Sequence, residues 1–259
     1  MNITALARLI PLFALIPSLA VAAVGKTTNF TTEQKTQIEE IVHQYLLAKP
    51  EVIVEAMQKM QQQQMQQTQK TIQQTQETAP KFANALFLNA NDPIAGDPNG
   101  NVTVAEFFDY QCGHCVHMAS VLENVSKANP HLKIVFKEFP IRGPMSEMAA
   151  KAALAANKQG KYLAMHHALM GANQPLTAEL IFQLAQTAGV DVEKMKKDMD
   201  DPAISKTLKD TYQLGQDLKL FATPAFFIGK TQAPKTIKYL LGAMEQKQMQ
   251  DIVDEQGKA

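Results

Sequence analysis

The sequence lacks an excess of either charge. Lysine and arginine together number 25, as do aspartate and glutamate, so the formal net charge of the 259 residues is zero at pH 7. Binding to nucleic acid or to an anionic membrane through charge requires a basic excess or a basic patch. We therefore expect no nucleic acid among the partners of this protein.

Long apolar runs are also scarce. One run, LIPLFALIPSLAVAAV, follows Arg8, and no other segment is long enough to cross a bilayer. The run is short for a span and contains two prolines, and its Ala20 and Ala22 fit the small-x-small pattern of a cleavage site. A membrane anchor is the alternative interpretation. We predict that residues 1–23 are a signal peptide and that the mature chain is exported to the periplasm.

Cysteine is nearly absent, since Cys112 and Cys115 are the only two. In an oxidising compartment, a structural disulfide between them is one interpretation. The loop that it would close is very short, however, and the stabilisation from a disulfide grows with the closed loop. A secreted chain that relies on disulfides for stability would also carry more than one pair. The pair therefore favours redox chemistry over a structural bridge.

The order of residues around the cysteines argues against two kinds of cofactor site. Haem attachment requires Cys-x-x-Cys-His, but Val116 follows Cys115 and the histidine, His117, comes one residue late. Zinc would need two further ligands, and no second cysteine pair or Cys₂His₂ spacing is present. His166 and His167 lie in a helical stretch and are typical of a surface or packing pair. We predict no metal and no cofactor.

The region before the cysteines predicts helices. Apolar residues recur at helical spacing in two stretches separated by Pro50, namely Ile38, Ile41, Val42, Tyr45 and Leu46, then Ile53, Met57 and Met60. Eleven of the nineteen residues 58–76 are glutamine, a fair helix former, although a disordered linker is the alternative. We predict a helical, Gln-rich N-terminal extension over residues 24–80, with the helix fraying near Thr78.

Two short helices cannot bury such apolar stripes alone, so they must pack on the rest of the chain or on another chain. We expect a homodimer that forms through residues 31–76.

The remaining residues, 81–259, mix strands and helices. The stretches NVTVAEFFDY, LKIVFKEFP, TPAFFIG and TIKYLLG are typical of strands, and NDPIAGDPNG of a turn-rich connection. Several helical stretches occupy about residues 141–218, and a last helix begins near Met244. This order predicts an α/β core with a helical insertion. We expect residues 111–128 and 221–229 to form the site.

The stretch from Cys112 to Cys115, Cys-Gly-His-Cys, suits thiol–disulfide exchange, which needs an attacking thiolate and a resolving thiol. A strand before it and a helix after it place Cys112 at a helix N-terminus, where free N–H groups and the helix dipole favour the thiolate. We predict that Cys112 attacks and that Cys115, one turn inside and more buried, resolves. His114 would stabilise the Cys112 thiolate electrostatically, and Gly113 would let another chain approach closely.

Taken together, VAEFFDYQCGHC and ATPAFFIG resemble the DsbA-type branch of the thioredoxin superfamily. The resemblance runs from about Asn101 to the C-terminus, and IVHQYLLAKPEVIVEAMQ is similar to the extension of a DsbA-like subgroup of exported proteins. It implies a thioredoxin fold and a protein disulfide oxidoreductase that works through mixed disulfides with exported protein substrates. It also implies a membrane redox partner.

The resemblance adds three site residues. It implies that Pro224, preceded by Thr223, is a cis-proline that faces the cysteines, and that its backbone pairs with an extended substrate. It also implies a buried carboxylate at Glu106, for which we expect a proton relay to Cys115. Lys137 and Glu138 are further possible members of the relay, and strand alternation predicts that only one of them points inward.

The direction of exchange stays open. Gly-His is the dipeptide of protein disulfide isomerase, which is oxidising but less so than DsbA. Both an oxidase and an isomerase fit, and a dimer would favour isomerase activity beside oxidase activity. The alternatives are a chaperone-like or surface binding protein that holds extended chains on a thioredoxin fold, and a disulfide reductase.

Overall fold

The structure is a computed structural model, and it describes residues 30–232 and 234–258. The predicted signal peptide, residues 1–23, lies outside the described residues. No helix in the described part of the chain combines the length and apolarity that a membrane span needs. The chain divides into two compact units between Met60 and Gln61.

The first unit contains helix α1, Thr32–Ala48, and the beginning of α2, Glu51–Thr78. Thr31 and Gln34 form a capping box, in which each side chain accepts a hydrogen bond from the other residue's backbone N–H. Pro50 immediately precedes α2, where a proline does not interrupt helical hydrogen bonds. The glutamine tract is thus helical up to Thr78, as the sequence predicted.

The second unit continues from α2 through mixed elements. They are a 3₁₀ helix Ala79–Phe82, α3 Ala83–Phe87, β1 Ile94–Gly96, β2 Val102–Phe108, α4 Gly113–Ala128, β3 Leu132–Glu138, α5 Pro144–Asn157, α6 Tyr162–Met170, α7 Ala178–Thr187, α8 Val192–Asp198, α9 Pro202–Asp217, β4 Ala225–Lys230, β5 Lys238–Leu241 and α10 Gln246–Lys258. The predicted α/β core with helices inserted between its second and third predicted strands is confirmed. The prediction of a turn-rich connection was wrong in one respect, because this segment contains β1, an edge strand too short for a periodic pattern.

The five strands form one sheet in the order β1-β3-β2-β4-β5. Strands β2 and β3 are parallel, and the other neighbouring pairs are antiparallel. Strand β2 is central and every one of its residues is buried, so both faces of the sheet are covered. The cysteine face carries Val104, Phe108 and the residues of α4, and the opposite face carries Ala105 and Phe107 against α3 and the end of α9.

The two covered faces correct the prediction for Lys137 and Glu138. Successive residues of β3 point to opposite faces, but both faces are interior, so both side chains are buried. Lys137 faces away from the cysteines, where it forms an ion pair with Asp92 and donates to the carbonyl of Ala85. Glu138 lies on the cysteine face.

Candidate active site

The cysteine pair lies where β2 leads into α4. Cys112 is the N-cap residue of α4 with an extended backbone, and its carbonyl oxygen accepts hydrogen bonds from Cys115 N–H at 2.9 Å and Val116 N–H at 3.1 Å. The Cys112 N–H donates to the Asp109 carbonyl at 3.0 Å. Cys112 therefore stands at the free N–H groups of the helix, and Cys115 lies one turn inside.

Exposure does not distinguish the two thiols. Both are free, and both are 0% exposed, although the Cys115 sulfur lies deeper among protein atoms than that of Cys112, in agreement with the expectation that Cys115 is the more buried of the two. Cys112 is covered by the chain that crosses the start of α4 at Thr223. The two cysteines differ instead in the groups that surround each sulfur.

The pKa values of the two thiols move in opposite directions. Burial opposes ionisation of Cys112, but hydrogen bonds from the Thr223 side chain, from Cys115 and from the His114 backbone outweigh it, so the pKa of Cys112 lies below its ordinary value. Burial raises the pKa of Cys115 strongly, and the charges of Glu106 and Cys112 raise it further. At neutral pH the arrangement favours a thiolate at Cys112 and a thiol at Cys115.

Thr223 presents two groups to Cys112. Its carbonyl oxygen accepts a hydrogen bond from the protonated thiol at 3.3 Å. Its buried hydroxyl oxygen has no hydrogen-bond partner among the described residues while Cys112 is a thiol, and it lowers the pKa of Cys112 because it can donate to the thiolate. The peptide bond from Thr223 to Pro224 is cis, and Pro224 is buried immediately before β4. The structure thus brings these two residues to the cysteines from 111 residues along the chain.

Glu106 lies on β2 with the parity of Val104 and Phe108, which places its side chain on the cysteine face. It is 1% exposed, and its Oε1 has no hydrogen-bond partner among the described residues. Burial raises the pKa of the Glu106 carboxyl to about 8, and the charges of Cys112 and Glu138 act in the same direction. A carboxyl group in this state can hold or release a proton near neutral pH.

The two residues between the cysteines are exposed. The His114 side chain points to solvent, and its contribution to the low pKa of Cys112 comes from its backbone N–H. A Cβ placed on Gly113 would meet no atom within 4 Å, which leaves open space beside Cys112. Among residues 30–232 and 234–258, no group of three His, Cys, Asp or Glu side chains is arranged to hold a metal ion.

Sequence reasoning missed the part played by Asp109, which is 1% exposed. Its Oδ1 accepts from Gln111 N–H at 2.8 Å and Ser146 Oγ at 2.7 Å, and its Oδ2 accepts from the N–H groups of Ile141 at 2.8 Å and Arg142 at 2.9 Å. The carboxylate thus ties the cysteine loop to the start of the helical insertion. The local signal was an aspartate directly after a buried strand. The side-chain oxygen of such an aspartate can accept a hydrogen bond from the backbone N–H two residues later, which forms an Asx turn.

The comparisons with protein families match two parts of the chain. Residues 103–254 match the DSBA-like thioredoxin domain. Residues 34–67 match the N-terminal domain of the copper resistance protein ScsC.

Solved structures resemble the same parts of the chain. A thioredoxin-like oxidoreductase from Silicibacter pomeroyi DSS-3 is 37% identical, with a TM-score of 0.63, and the match covers 68% of this chain and 98% of that one. ScsC from Proteus mirabilis, in a transitional conformation, is 25% identical with a TM-score of 0.63 over 89% of this chain and 99% of that one. The second match extends into the N-terminal helices.

Curated relatives are longer proteins. The Na(+)/H(+) antiporter NhaA 1 of Mycobacterium sp. (strain KMS) is 29% identical over 162 residues, which is 60% of this chain and 26% of the antiporter. The chain therefore spans about a quarter of the length of such relatives.

Proposed function

The chain belongs to the family of DSBA-like thioredoxin domains, and on that premise we propose that it is a thiol:disulfide oxidoreductase of exported proteins in the periplasm. One observation carries the proposal. Two neighbouring thiols at the start of α4 have pKa values that move in opposite directions, and an unpartnered hydroxyl faces the one with the lower value. This is the division of labour that exchange requires, with one sulfur that ionises easily and one that keeps its proton.

The reaction follows from these environments. A substrate thiolate attacks Cys112 in the Cys112–Cys115 disulfide, a sulfur–sulfur bond forms between substrate and Cys112, and Cys115 leaves with the electron pair. A second substrate thiolate then attacks the substrate sulfur of this mixed disulfide. Cys112 leaves as a thiolate, and the substrate gains one disulfide while the enzyme becomes a dithiol. The hydroxyl of Thr223 and the N–H groups at the start of α4 stabilise this leaving thiolate.

Glu106 serves as the proton donor and acceptor for Cys115 in this scheme. Cys115 leaves as a thiolate in an apolar environment that favours the thiol, so it must gain a proton. The Glu106 carboxyl is buried on the same face, and its raised pKa makes it a suitable donor. The reverse transfer accompanies reoxidation by a membrane redox partner.

Protein substrates would bind where Thr223 and Pro224 approach Cys112. Thr223 and the start of β4 present backbone groups beside the reactive sulfur, and the space next to Gly113 is open. We propose that an extended substrate segment pairs with the backbone at Thr223 by strand addition. The exposed side chain of His114 would then contact the substrate or solvent rather than the sulfur itself.

We propose that residues 24–80 form a dimerisation region and residues 81–259 the catalytic domain, with a helical insertion of about 141–218. No residue of α1 is buried, and Ile41 and Leu47 are 67% and 65% exposed. Several further large apolar side chains on α1 and the first half of α2 are exposed, which supports a second copy of the chain as their partner. A dimer would let two catalytic domains hold one misfolded substrate, which favours isomerase activity beside oxidase activity.

Light scattering after size exclusion tests the dimer on the mature chain, with and without residues 24–78. A dimer that becomes a monomer on truncation is expected. A monomer in both cases would contradict self-association, and a larger assembly would keep self-association but contradict the dimer. Ile41→Lys at an exposed apolar position is the point variant, and Gln44→Lys, at an exposed polar position of the same helix, is its charge-matched control.

Trapping experiments test the enzyme. Cys115→Ala should accumulate mixed disulfides with exported proteins, and Cys112→Ser should abolish exchange, as judged by the refolding of reduced and of scrambled ribonuclease. If Cys112→Ser keeps full function in cells, the protein is a binding or chaperone-like protein instead. Alkylation of the pair in cells decides the direction, because a pair held fully reduced indicates a reductase.

A further inference from the structure

A second buried carboxyl group, that of Glu138, lies on the cysteine face at the end of β3. Its Oε1 accepts hydrogen bonds from Tyr110 Oη at 2.9 Å and from Tyr162 Oη at 2.7 Å. Tyr110 Oη also lies 3.2 Å from His166 Nδ1. These four side chains are at most 4% exposed, so they form a closed polar cluster inside the apolar core.

The cluster joins three elements around the cysteines. Glu138 is the last residue of β3, Tyr110 belongs to the loop two residues before Cys112, and Tyr162 and His166 lie on α6 of the helical insertion. Aromatic rings enclose it, because the Phe108 and Phe136 ring centroids lie 5.1 and 4.7 Å from that of His166. The carboxyl is therefore held in one position beside the redox loop.

Glu138 and Glu106 are neighbours across the parallel strands. Glu106 pairs in register with Phe136 and Phe108 pairs with Glu138, so the two carboxyl groups lie on the same face, two residues apart along the strand direction. Two buried carboxylates at this separation repel each other, so each opposes the ionisation of the other. Burial raises the pKa of Glu138 to about 8, which is the region in which Glu106 also titrates.

Nothing that faces the two carboxyl groups supplies a compensating positive charge among the described residues. Burial lowers the pKa of His166 to about 3, so its ring is neutral. Burial and Glu138 raise the pKa of Tyr110 and of Tyr162, so both remain neutral donors. The Asp109 carboxylate in the loop raises the pKa of Glu138 further, and Cys112 on α4 acts on Glu106.

We infer that Glu138 is a positioning residue for the exchange reaction, and that its charge decides whether Glu106 holds a proton for Cys115. An ionised Glu138 keeps the proton on Glu106, and a neutral Glu138 lets Glu106 release it. When the disulfide opens, Cys115 takes the proton from Glu106, the electron pair of the broken bond stays on Cys115, and Glu106 becomes a carboxylate. The charge left on Glu106 is tolerated better when Glu138 is neutral. This inference rests on the proposed function.

The test is the variant Glu138→Gln, whose amide oxygen still accepts from both tyrosines while the charge is lost. The measurement is the rate of exchange with glutathione across pH 5 to 10, together with the equilibrium constant. The midpoint that belongs to Glu106, identified by its loss in Glu106→Gln, should move down by about one pH unit, a tenfold change in proton affinity. Glu123→Gln, the same change at an exposed position of α4, should leave the midpoint in place.

The double variant Glu106→Gln/Glu138→Gln shows whether Glu138 acts through Glu106. Its pH profile should equal that of Glu106→Gln alone, because the intermediary is gone. Should Glu138→Gln not fold, Tyr162→Phe removes one donor to the same oxygen from outside the redox loop. It should shift the midpoint in the same direction by a smaller amount.

The outcomes are separable. A wild-type protein that exchanges no disulfide overturns the proposed function itself. A wild-type protein that exchanges, with a Glu138→Gln profile identical to it, overturns only the inference. A difference between the pH profiles of the double variant and of Glu106→Gln alone also overturns the inference, because Glu138 would then act on the cysteines without Glu106.

Discussion

Replacing Glu106 with glutamine should reverse its effect on stability between acid and alkaline pH. The folded-state pKa of Glu106 is raised from 4.5 to about 8, so the folded protein binds a proton more tightly than the unfolded chain. Below about pH 4 both states carry the proton, and the group does not disfavour folding. As the pH rises towards 8 the unfolded chain releases its proton first, and wild-type stability falls through that window.

The magnitude follows from the displacement of the pKa. The interval from 4.5 to about 8 corresponds to about 5 kcal/mol at 1.36 kcal/mol for each pKa unit, and Glu106 is too buried for solvent to screen it. The glutamine brings an amide N–H₂ group into a place without partners, which costs roughly 1–3 kcal/mol. We therefore expect Glu106→Gln to be more stable than wild type by roughly 2–4 kcal/mol at pH 9, and less stable by roughly 1–3 kcal/mol at pH 4.

Urea unfolding at a series of pH values, followed by circular dichroism, measures both differences. It should be run on the dithiol protein and on the disulfide protein. The charge of Cys112 contributes to the raised pKa of Glu106 and is absent from the disulfide form, so the gain at pH 9 should be smaller there. Glu123→Gln, an exposed change of the same kind, is the control.

A stability difference between Glu106→Gln and wild type that does not vary from pH 4 to pH 9 would refute this reasoning. Glu106 would then titrate near its ordinary pKa, and it could not hold a proton for Cys115 at neutral pH. An equal difference in the dithiol and disulfide forms would remove the proposed influence of the Cys112 charge alone.

Three further outcomes are expected. Thr223→Val should raise the pKa of Cys112, measured by thiolate absorbance at 240 nm, whereas Thr223→Ser should not, because only valine lacks the hydroxyl donor. Asp109→Ala leaves four donors without their acceptor and should lower the free energy of unfolding by roughly 2–4 kcal/mol. The control Asp97→Ala, at a half-buried turn residue that accepts one backbone hydrogen bond, should cost less than about 1 kcal/mol. Gly113→Ala should fold with stability raised by about 0.5 kcal/mol but exchange more slowly with protein substrates than with glutathione, because the new methyl group occupies the open side of Cys112.

Local patterns predicted most of the fold. Apolar periodicity and the breaks between elements predicted α1, α2, β2, α4 and β3, because each has a run of apolar residues with the period of its element. Strand β1 was missed because three residues at a sheet edge carry no period. Its pairing with β3, at Ile94 and Val135, is a tertiary contact.

The sequence predicted the part of the site that depends on the two cysteines and their spacing. Two cysteines at this spacing between a strand and a helix indicate exchange, whatever surrounds them. The complete lack of exposure of Cys112 could not be predicted, because the coverage of its sulfur comes from Thr223, which is far away in the sequence. The burial of Lys137 and Glu138 was predicted wrongly. Strand alternation tells which face of the sheet a side chain lies on, but it does not tell whether other elements cover that face.

The sequence by itself therefore determined the elements, the cysteine pair and its place at a helix start, since these depend on neighbours within a few residues. The helix start also indicated that Cys112 is the thiol that ionises, but only the tertiary structure decided which groups hold its thiolate and where the protons reside. Those properties come from burial, from the hydroxyl of Thr223 and from the charges of Glu106 and Glu138, groups on separate strands or loops that the sheet brings to one face. Burial and Coulomb interactions depend on distance in space, and only the folded chain sets that distance.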